Sequence, residues 1–410
     1  MPFGRHCQCG KCRKGSHQTR AIEKMKGRNY ILSVVLLLLA LRLVAQDLSI
    51  KRYADTIRYE MKYGRIIVPV TVNQVVYRYI LDTGGQTATI WEEAKAMGGQ
   101  LTGASKVTAD MNGKANMYSM GRLPEVKIGS NLKLSLTTIA LPDIKGFREL
   151  GVVGILGGDA FKDVVMALDG AKSELRLYYP YRPKGLKLSD GIPLAYSETW
   201  HVNFPLSFSG ASVQVMFDTG VPELLTMSEK DYLFLAQTQA ATVVRKGRGT
   251  LGAGLEGLGE AKPLKQVKMG EFALGGKSFQ NATCLVAPNV PTILGAELLK
   301  YGVVTIDYPR GRFYFQPYEE ASADLAKAAP IWDVSILPAH GRFEITAVWE
   351  PLTDRLNIGD EVVAVNGKDI TRLLLSETTI SDIFDRLISS ETTITMKRGN
   401  RKFDIPVHRR

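Results

Sequence analysis

Twice in this chain a run of alternating apolar residues enters an acidic turn and then becomes apolar again. The first run is YRYILDTGGQTATIW, Tyr77 to Trp91, and the second is VQVMFDTGVPELLTM, Val213 to Met227. The same two-residue period recurs along most of the chain and predicts strands. IIVPVTVNQVVYRYI reads as two strands with a turn at Asn73-Gln74. VTADMNGKANMYSM carries Asn112-Gly113, a strong hairpin signal because both positions accept positive φ. ALDGAKSELRLYY and TIDYPRGRFYF each read as strand, polar turn and aromatic strand, with Asp169 and Asp307 as turn residues. Helical spacing is confined to WEEAKAM, after the first acidic turn, and ETTISDIFDRLIS near the C-terminus. The pattern predicts a mainly β protein.

The two acidic turns anchor a longer repeat. Ile155-Leu156-Gly157 ends 75 residues after Asp82, and Ile293-Leu294-Gly295 ends 77 residues after Asp218. EVKIG (Glu125 to Gly129) is matched by QVKMG (Gln266 to Gly270), and VVMALD ending at Asp169 by GVVTID ending at Asp307. Four landmarks thus recur in one order at offsets of 136 to 141 residues. That period is too long for a solenoid unit and suits a duplicated small domain.

Charge and cysteine usage separate the N-terminus from the rest. The net charge is +11, but residues 1–45 hold nine Lys/Arg against one Glu, leaving only +3 beyond them. The body shows no basic face with interleaved aromatics, so nucleic acid is not an expected partner. Tyr30 to Leu41 is a nearly unbroken apolar run behind the charged lead-in Met25-Lys26-Gly27-Arg28, with Ala45 near its exit. This reads as a signal peptide over 25–45, with no membrane span after cleavage. Residues 1–24 are read as an upstream extension. Their Cys7, Cys9 and Cys12 lack a second ligand pair at zinc-site spacing, so no metal is assigned. Cys284, inside an apolar run, is read as a small buried hydrophobe.

Other chemistries are poorly represented. His201, His340 and His408 are the body's histidines, and none lies near a Ser or Cys motif. Gly247, Gly249 and Gly252 match G-x-G-x-x-G, but more glycine and Pro263 follow rather than a helix, which argues against a dinucleotide site. The segment is expected to be a glycine-rich loop over a cleft.

Paired Asp-Thr-Gly turns, each with a later apolar-apolar-Gly, resemble the pepsin–retropepsin group of aspartic proteases from roughly Lys51 to Pro317. The resemblance implies two homologous retropepsin-like β-barrel lobes, 46–185 and 186–320, joined through Pro180 to Pro193. It implies Asp82 and Asp218 as catalytic residues sharing one proton. Thr83, Gly84, Thr219 and Gly220 would support the turns, and the hairpin with Tyr118 would be a flap over substrate. The family usually has Ser, Thr or Ala after the Asp-Thr-Gly, whereas this chain has Gly85 and Val221. Neither can donate a side-chain hydrogen bond to the carboxylate, which predicts a less acid-shifted pH optimum.

Tyr318 to Ala329 reads as a linker. Beyond it GRFEITAVWEPLTDRLNIGDEVVAVNGKDI resembles a PDZ domain of the bacterial protease-associated kind, giving an α+β domain over 328–410. The resemblance implies a peptide ligand, with a carboxylate-binding loop near Gly341, Arg342 and Phe343. The sequence reading is therefore an exported aspartic endopeptidase of polypeptide substrates, located in the periplasm or cell envelope of a bacterium or secreted. A monomer is expected, and neither metal nor organic cofactor is implied. An alternative from another class is a catalytically degenerate peptide-binding scaffold with the PDZ domain as its working module. Gly85 and Val221 favour it and the two intact Asp-Thr-Gly turns oppose it.

Overall fold

The computed structural model describes residues 52–109, 114–196, 199–250, 252–254, 257–326 and 331–410. The signal-peptide reading, the upstream extension and the Asn112-Gly113 turn lie outside these residues. Among the described residues no helix is long and apolar enough to cross a membrane.

The fold is mainly β, and the repeat seen in the sequence is visible in its strand pairing. In the first half, strand Val75–Asp82 runs antiparallel to Arg65–Val72 and parallel to Gly154–Gly157, which sets Asp82 beside Gly157. In the second half, Ala211–Asp218 runs antiparallel to Val202–Phe208 and parallel to Ile293–Gly295, which sets Asp218 beside Gly295. The hairpin between Arg65–Val72 and Val75–Asp82 turns through Asn73 (φ 49°) and Gln74 (φ 67°), two left-handed residues whose twist suits a two-residue connection. After each acidic turn comes a short strand and then a helix, Ala88–Ile90 with Trp91–Ala96 and Leu225–Ser228 with Glu229–Gln237. The latter is capped by Ser228, whose hydroxyl accepts from Asp231 N at 3.0 Å.

The first half forms an eight-stranded sheet from Glu60–Lys62 to Gln100–Ala109, with an extra pairing of Thr71 with Lys127 that curls it towards closure. A six-stranded sheet joins the halves. At its centre Val165–Asp169 pairs antiparallel with Gly302–Asp307, Val165 opposite Asp307 and Asp169 opposite Val303. These are the repeated VVMALD and GVVTID segments meeting each other. All five residues of Val165–Asp169 are buried, so burial on both faces explains their continuous apolar run. Asp169 and Asp307 end these strands as turn acceptors, Asp307 bound by Arg310 and by Arg182 of the connecting segment. Ile192–Pro193 then adds to the outer edge beside Arg312–Phe313.

Residues 331–410 carry their own core, including Phe343, Ile345, Leu356, Val362, Ile380, Ile394 and Val407. Two sequence expectations fail here. The supposed linker is tied down at least to Ala326: Ala323–Asp324 pairs parallel with Phe279–Gln280, Leu325 is buried, and Lys277 Nζ donates to Glu319 O at 2.9 Å. The glycine-rich segment is a strand rather than a loop as far as Gly249. Gly247 and Gly249 lie in strand Ala241–Gly249, which pairs with Lys262–Met269 on one side and with Ala347–Trp349 on the other. A side chain at Gly247 would sit 2.6 Å from the Trp349 ring, so the glycine is required by close packing rather than by mobility.

Candidate active site

Each acidic turn is built by the same local device. Asp82 and Asp218 end apolar strands whose preceding residues Leu81 and Phe217 are fully buried. The chain then doubles back, with Gly85 N donating to Asp82 O at 3.2 Å and Val221 N to Asp218 O at 3.3 Å. The carboxylates bind the turns they open: Gly84 N donates to Asp82 Oδ1 at 3.1 Å and Gly220 N to Asp218 Oδ1 at 2.7 Å.

The turns interlock across the two halves. Thr83 N donates to Thr219 Oγ1 and Thr219 N to Thr83 Oγ1, both at 3.1 Å. Each hydroxyl donates onward to the strand of the opposite half, Thr83 Oγ1 to Phe217 O at 2.9 Å and Thr219 Oγ1 to Leu81 O at 2.7 Å. Both threonines are wholly buried, and these four bonds satisfy their amides and hydroxyls without water. The glycines admit the opposite acids: a methyl group at Gly84 would sit 2.2 Å from the Asp218 carboxylate, and one at Gly220 2.6 Å from that of Asp82. Replacing Thr83 by Val should cost about 1–3 kcal/mol, because it strands Phe217 O and Thr219 N in a dry interface. Thr83→Ser should retain most of that stability. Urea unfolding of the two variants checks this.

The structure therefore brings together Asp82, Thr83, Gly84, Asp218, Thr219 and Gly220. The two acids meet across the paired turns, each carboxyl packed against the glycine of the other's turn. Burial, then the charge of Asp82 and hydrogen bonding with it, push the Asp218 carboxyl well above the usual carboxylate range, against the opposing pull of the Gly220 and Gly84 amides. In the first half the turn is backed by Asp159, which accepts from Thr87 N at 3.1 Å and Thr87 Oγ1 at 2.7 Å; burial also raises its carboxyl. Gly157 N donates in turn to Thr87 Oγ1, so the Ile155-Leu156-Gly157 strand holds the loop from behind.

Tyr118 lies on the strand Ala115–Ile128 of the hairpin and is 8% exposed, packed in the cluster with Ile67, Ile90 and Phe147. Gly341, Arg342 and Phe343 are far from this site in the sequence and in role. They form the turn and start of a hairpin, Ala339 opposite Arg342 and Pro338 opposite Phe343. Phe343 is 1% exposed in the C-terminal core, and Arg342 Nε is engaged by Glu344 at 2.7 Å. The Phe343 side chain thus belongs to the core, and the Arg342 guanidinium is paired with Glu344. Arg65 was not singled out from the sequence. Its Nη1 donates to Gly220 O at 2.7 Å, clamping the second turn from the first half. The 136-residue offset that relates Asp82 to Asp218 relates Arg65 to His201, and that was the signal for it.

Comparison with known proteins agrees with this geometry over part of the chain. Residues 68–160, which span the first acidic turn and its Ile155-Leu156-Gly157 backing, match the model of the aspartyl protease family. No curated protein matches the chain. Among solved structures the chain is similar to Basic 7S globulin from soybean, at 14% identity over 66% of this chain and 96% of that one, with a TM-score of 0.40. It is also similar to the aspartic proteinase from Irpex lacteus, at 12% identity over 65% of this chain and 97% of that one, with a TM-score of 0.42.

Proposed function

We propose that this chain is an exported aspartic endopeptidase made of two retropepsin-like lobes, with Asp82 and Asp218 as a proton-sharing dyad and a PDZ-type C-terminal domain. One observation carries the reading: two carboxyls, one from each repeat, meet across the paired turns, and the more deeply buried Asp218 is held well above its ordinary pKa. Two carboxylates about 3 Å apart cannot both ionise, so a single proton is retained between them. The charged member takes a proton from a water molecule as that water attacks the peptide carbonyl. The protonated member donates to the carbonyl oxygen. As the C–N bond of the gem-diol breaks, the proton gained by the first acid passes to the leaving amine and the second acid takes back a proton from the gem-diol hydroxyl, so the dyad returns to its starting state without a covalent intermediate.

Asp218 is the member favoured to hold the proton, because it is the more deeply enclosed acid and its pKa is raised. In the C-terminal domain, the strand Val334–Ala339 and helix Glu377–Asp385 pack together, with Trp332 and Phe384 edge to face at 5.3 Å. A peptide ligand would add as an extended strand between them rather than at Gly341–Phe343. The test is hydrolysis of casein or a peptide library by the chain lacking residues 1–45, across about pH 3 to 8. Cleavage with an optimum above about pH 3.5 is expected, since Gly85 and Val221 offer no side-chain donor to the charged acid. Peptide binding with no cleavage at any pH would favour the scaffold function instead.

A further inference from the structure

The repeat extends to the residues that lead into the acidic strands. Gly64 and Trp200 stand 136 residues apart, the same separation as Asp82 and Asp218. Both are left-handed, at φ 71° and 64°. Gly takes that conformation freely, whereas for a bulky residue such as Trp it is an outlier that its surroundings must enforce. Each positive-φ residue is followed by a base, Arg65 or His201, at the mouth of the strand beside the acidic one. Ile67 faces Ile80 and Val202 faces Phe217; continuing each register sets Arg65 level with Asp82, and His201 level with Asp218.

Both segments then cross to the opposite half. A methyl group at Gly64 would lie 2.4 Å from Pro222, and Arg65 Nη1 donates to Gly220 O, both in the turn opened by Asp218. In the mirror arrangement Trp200 O lies 2.7 Å from where a side chain at Gly158 would start, just after the strand that backs Asp82. His201 is partly buried, and the acid whose charge acts on it is Asp82 of the other half rather than its register neighbour Asp218.

We propose that His201 is a positioning residue for Asp82, doing for the first acidic turn what Arg65 does for the second, with a titratable imidazole in place of a permanent cation. This rests on the Asp82/Asp218 dyad reading. The charges that act on His201 are those of Asp82 from Val75–Asp82 and Lys106 from Gln100–Ala109, while the continued register of its own strand brings Asp218 level with it. Burial lowers the imidazole pKa below the ordinary histidine range; Asp82 pulls it up and Lys106 pushes it down, with the net shift downward. His201 is therefore neutral at neutral pH and gains its proton on the acid side. Once charged, it favours ionised Asp82 and leaves the shared proton on Asp218. The unequal pair of bases thus selects which acid is charged, and does so only in acid.

The experiment is an NMR titration of the imidazole resonances in the full chain carrying labelled histidine, with His201 assigned by its loss in His201→Gln. Asp82→Asn should lower the His201 pKa by about half a unit or more, because the attracting charge is gone. Asp218→Asn, which leaves Asp82 as the only acid, should leave it unchanged or raise it. Equal shifts in both variants, or none in either, would overturn the proposal. This readout needs no turnover, so a chain that fails to cleave peptides would remove the protease reading while the titration still decides this one. In an active chain, His201→Gln should lower kcat ten- to a hundredfold on the acid side with little change in KM. His201→Arg should restore it and carry activity to higher pH. A uniform loss across pH with no rescue by Arg would mean a structural role only and would also overturn it.

Discussion

Asp82→Asn and Asp218→Asn are each expected to reduce peptide hydrolysis by about a thousandfold or more, and the double variant should be little worse than either single one. Non-additivity follows from the proposed dyad: with two carboxyls holding one proton between them, removal of either would abolish the acid–base pair. Steady-state kinetics on a fluorogenic peptide measures this, and cleavage surviving in either variant would disprove the dyad. The same pair of variants carries a stability prediction of opposite sense. The folded Asp218 carboxyl titrates well above its unfolded value of about 3.9, so between the two the folded state holds more protons than the unfolded one. Its contribution is most favourable below the unfolded pKa and is lost as pH rises through the folded pKa. At neutral pH the wild-type chain therefore keeps a destabilising acid in its interior. Asp218→Asn should raise the melting temperature at pH 7, and calorimetry should show the gain shrinking towards about pH 4. A more stable, inactive variant is the pattern expected of a site organised for chemistry rather than for folding.

Much of this site could be read from the sequence because duplication writes the same instruction twice. Asp-Thr-Gly, Ile-Leu-Gly and the VVMALD/GVVTID segments became partners in space: Asp82 beside Gly157, Asp218 beside Gly295, and Val165–Asp169 against Gly302–Asp307. Local turn chemistry was equally legible at Asn73-Gln74, where two consecutive left-handed residues make the hairpin. What was not legible is pairing between distant backbones. Nothing in GRGTLG announces that Gly247 to Gly249 will lie against Ala347–Trp349, because strand addition uses peptide groups that every residue carries. The polar, alanine-bearing stretch after Tyr318 looked like a linker for the same reason: its attachments include backbone carbonyls that accept from Lys277 Nζ. Arg65 was missed although the repeat pointed to it, since its partner is a carbonyl oxygen and not a recognisable motif.

That strand addition makes Asp333→Ala the most damaging substitution expected outside the acidic turns. Asp333 is 1% exposed and accepts from Arg245 Nη1 at 2.8 Å and from His408 N at 3.0 Å, with Arg410 Nε at 3.3 Å. Arg245 belongs to the second half and is itself enclosed, its Nε held by Gln266 Oε1 at 2.7 Å, its Nη2 by Ile331 O at 3.0 Å, and its guanidinium 5.2 Å from the Trp349 ring. Removing the aspartate leaves that cation buried without its counter-charge, at a cost of about 3–5 kcal/mol. Asp333→Asn keeps an acceptor and the volume and should lose less, while pairing Asp333→Leu with Arg245→Met should recover most of the loss. The repeat shows how the consequence reaches the second half. EVKIG closes the strand Ala115–Ile128 of the first half's hairpin, and QVKMG, its counterpart, closes Lys262–Met269, whose partner is Ala241–Gly249. The second half's version of that hairpin is thus the element bonded to the C-terminal domain, by Thr250 N to Thr346 O at 2.9 Å and Glu350 N to Lys246 O at 3.0 Å. In Asp333→Ala the amides of residues 247–250 and 347–349 should lose hydrogen-exchange protection together, and KM should rise before kcat falls. Protection lost on the C-terminal side alone would mean that the domain is merely tethered to the strand and does not hold it.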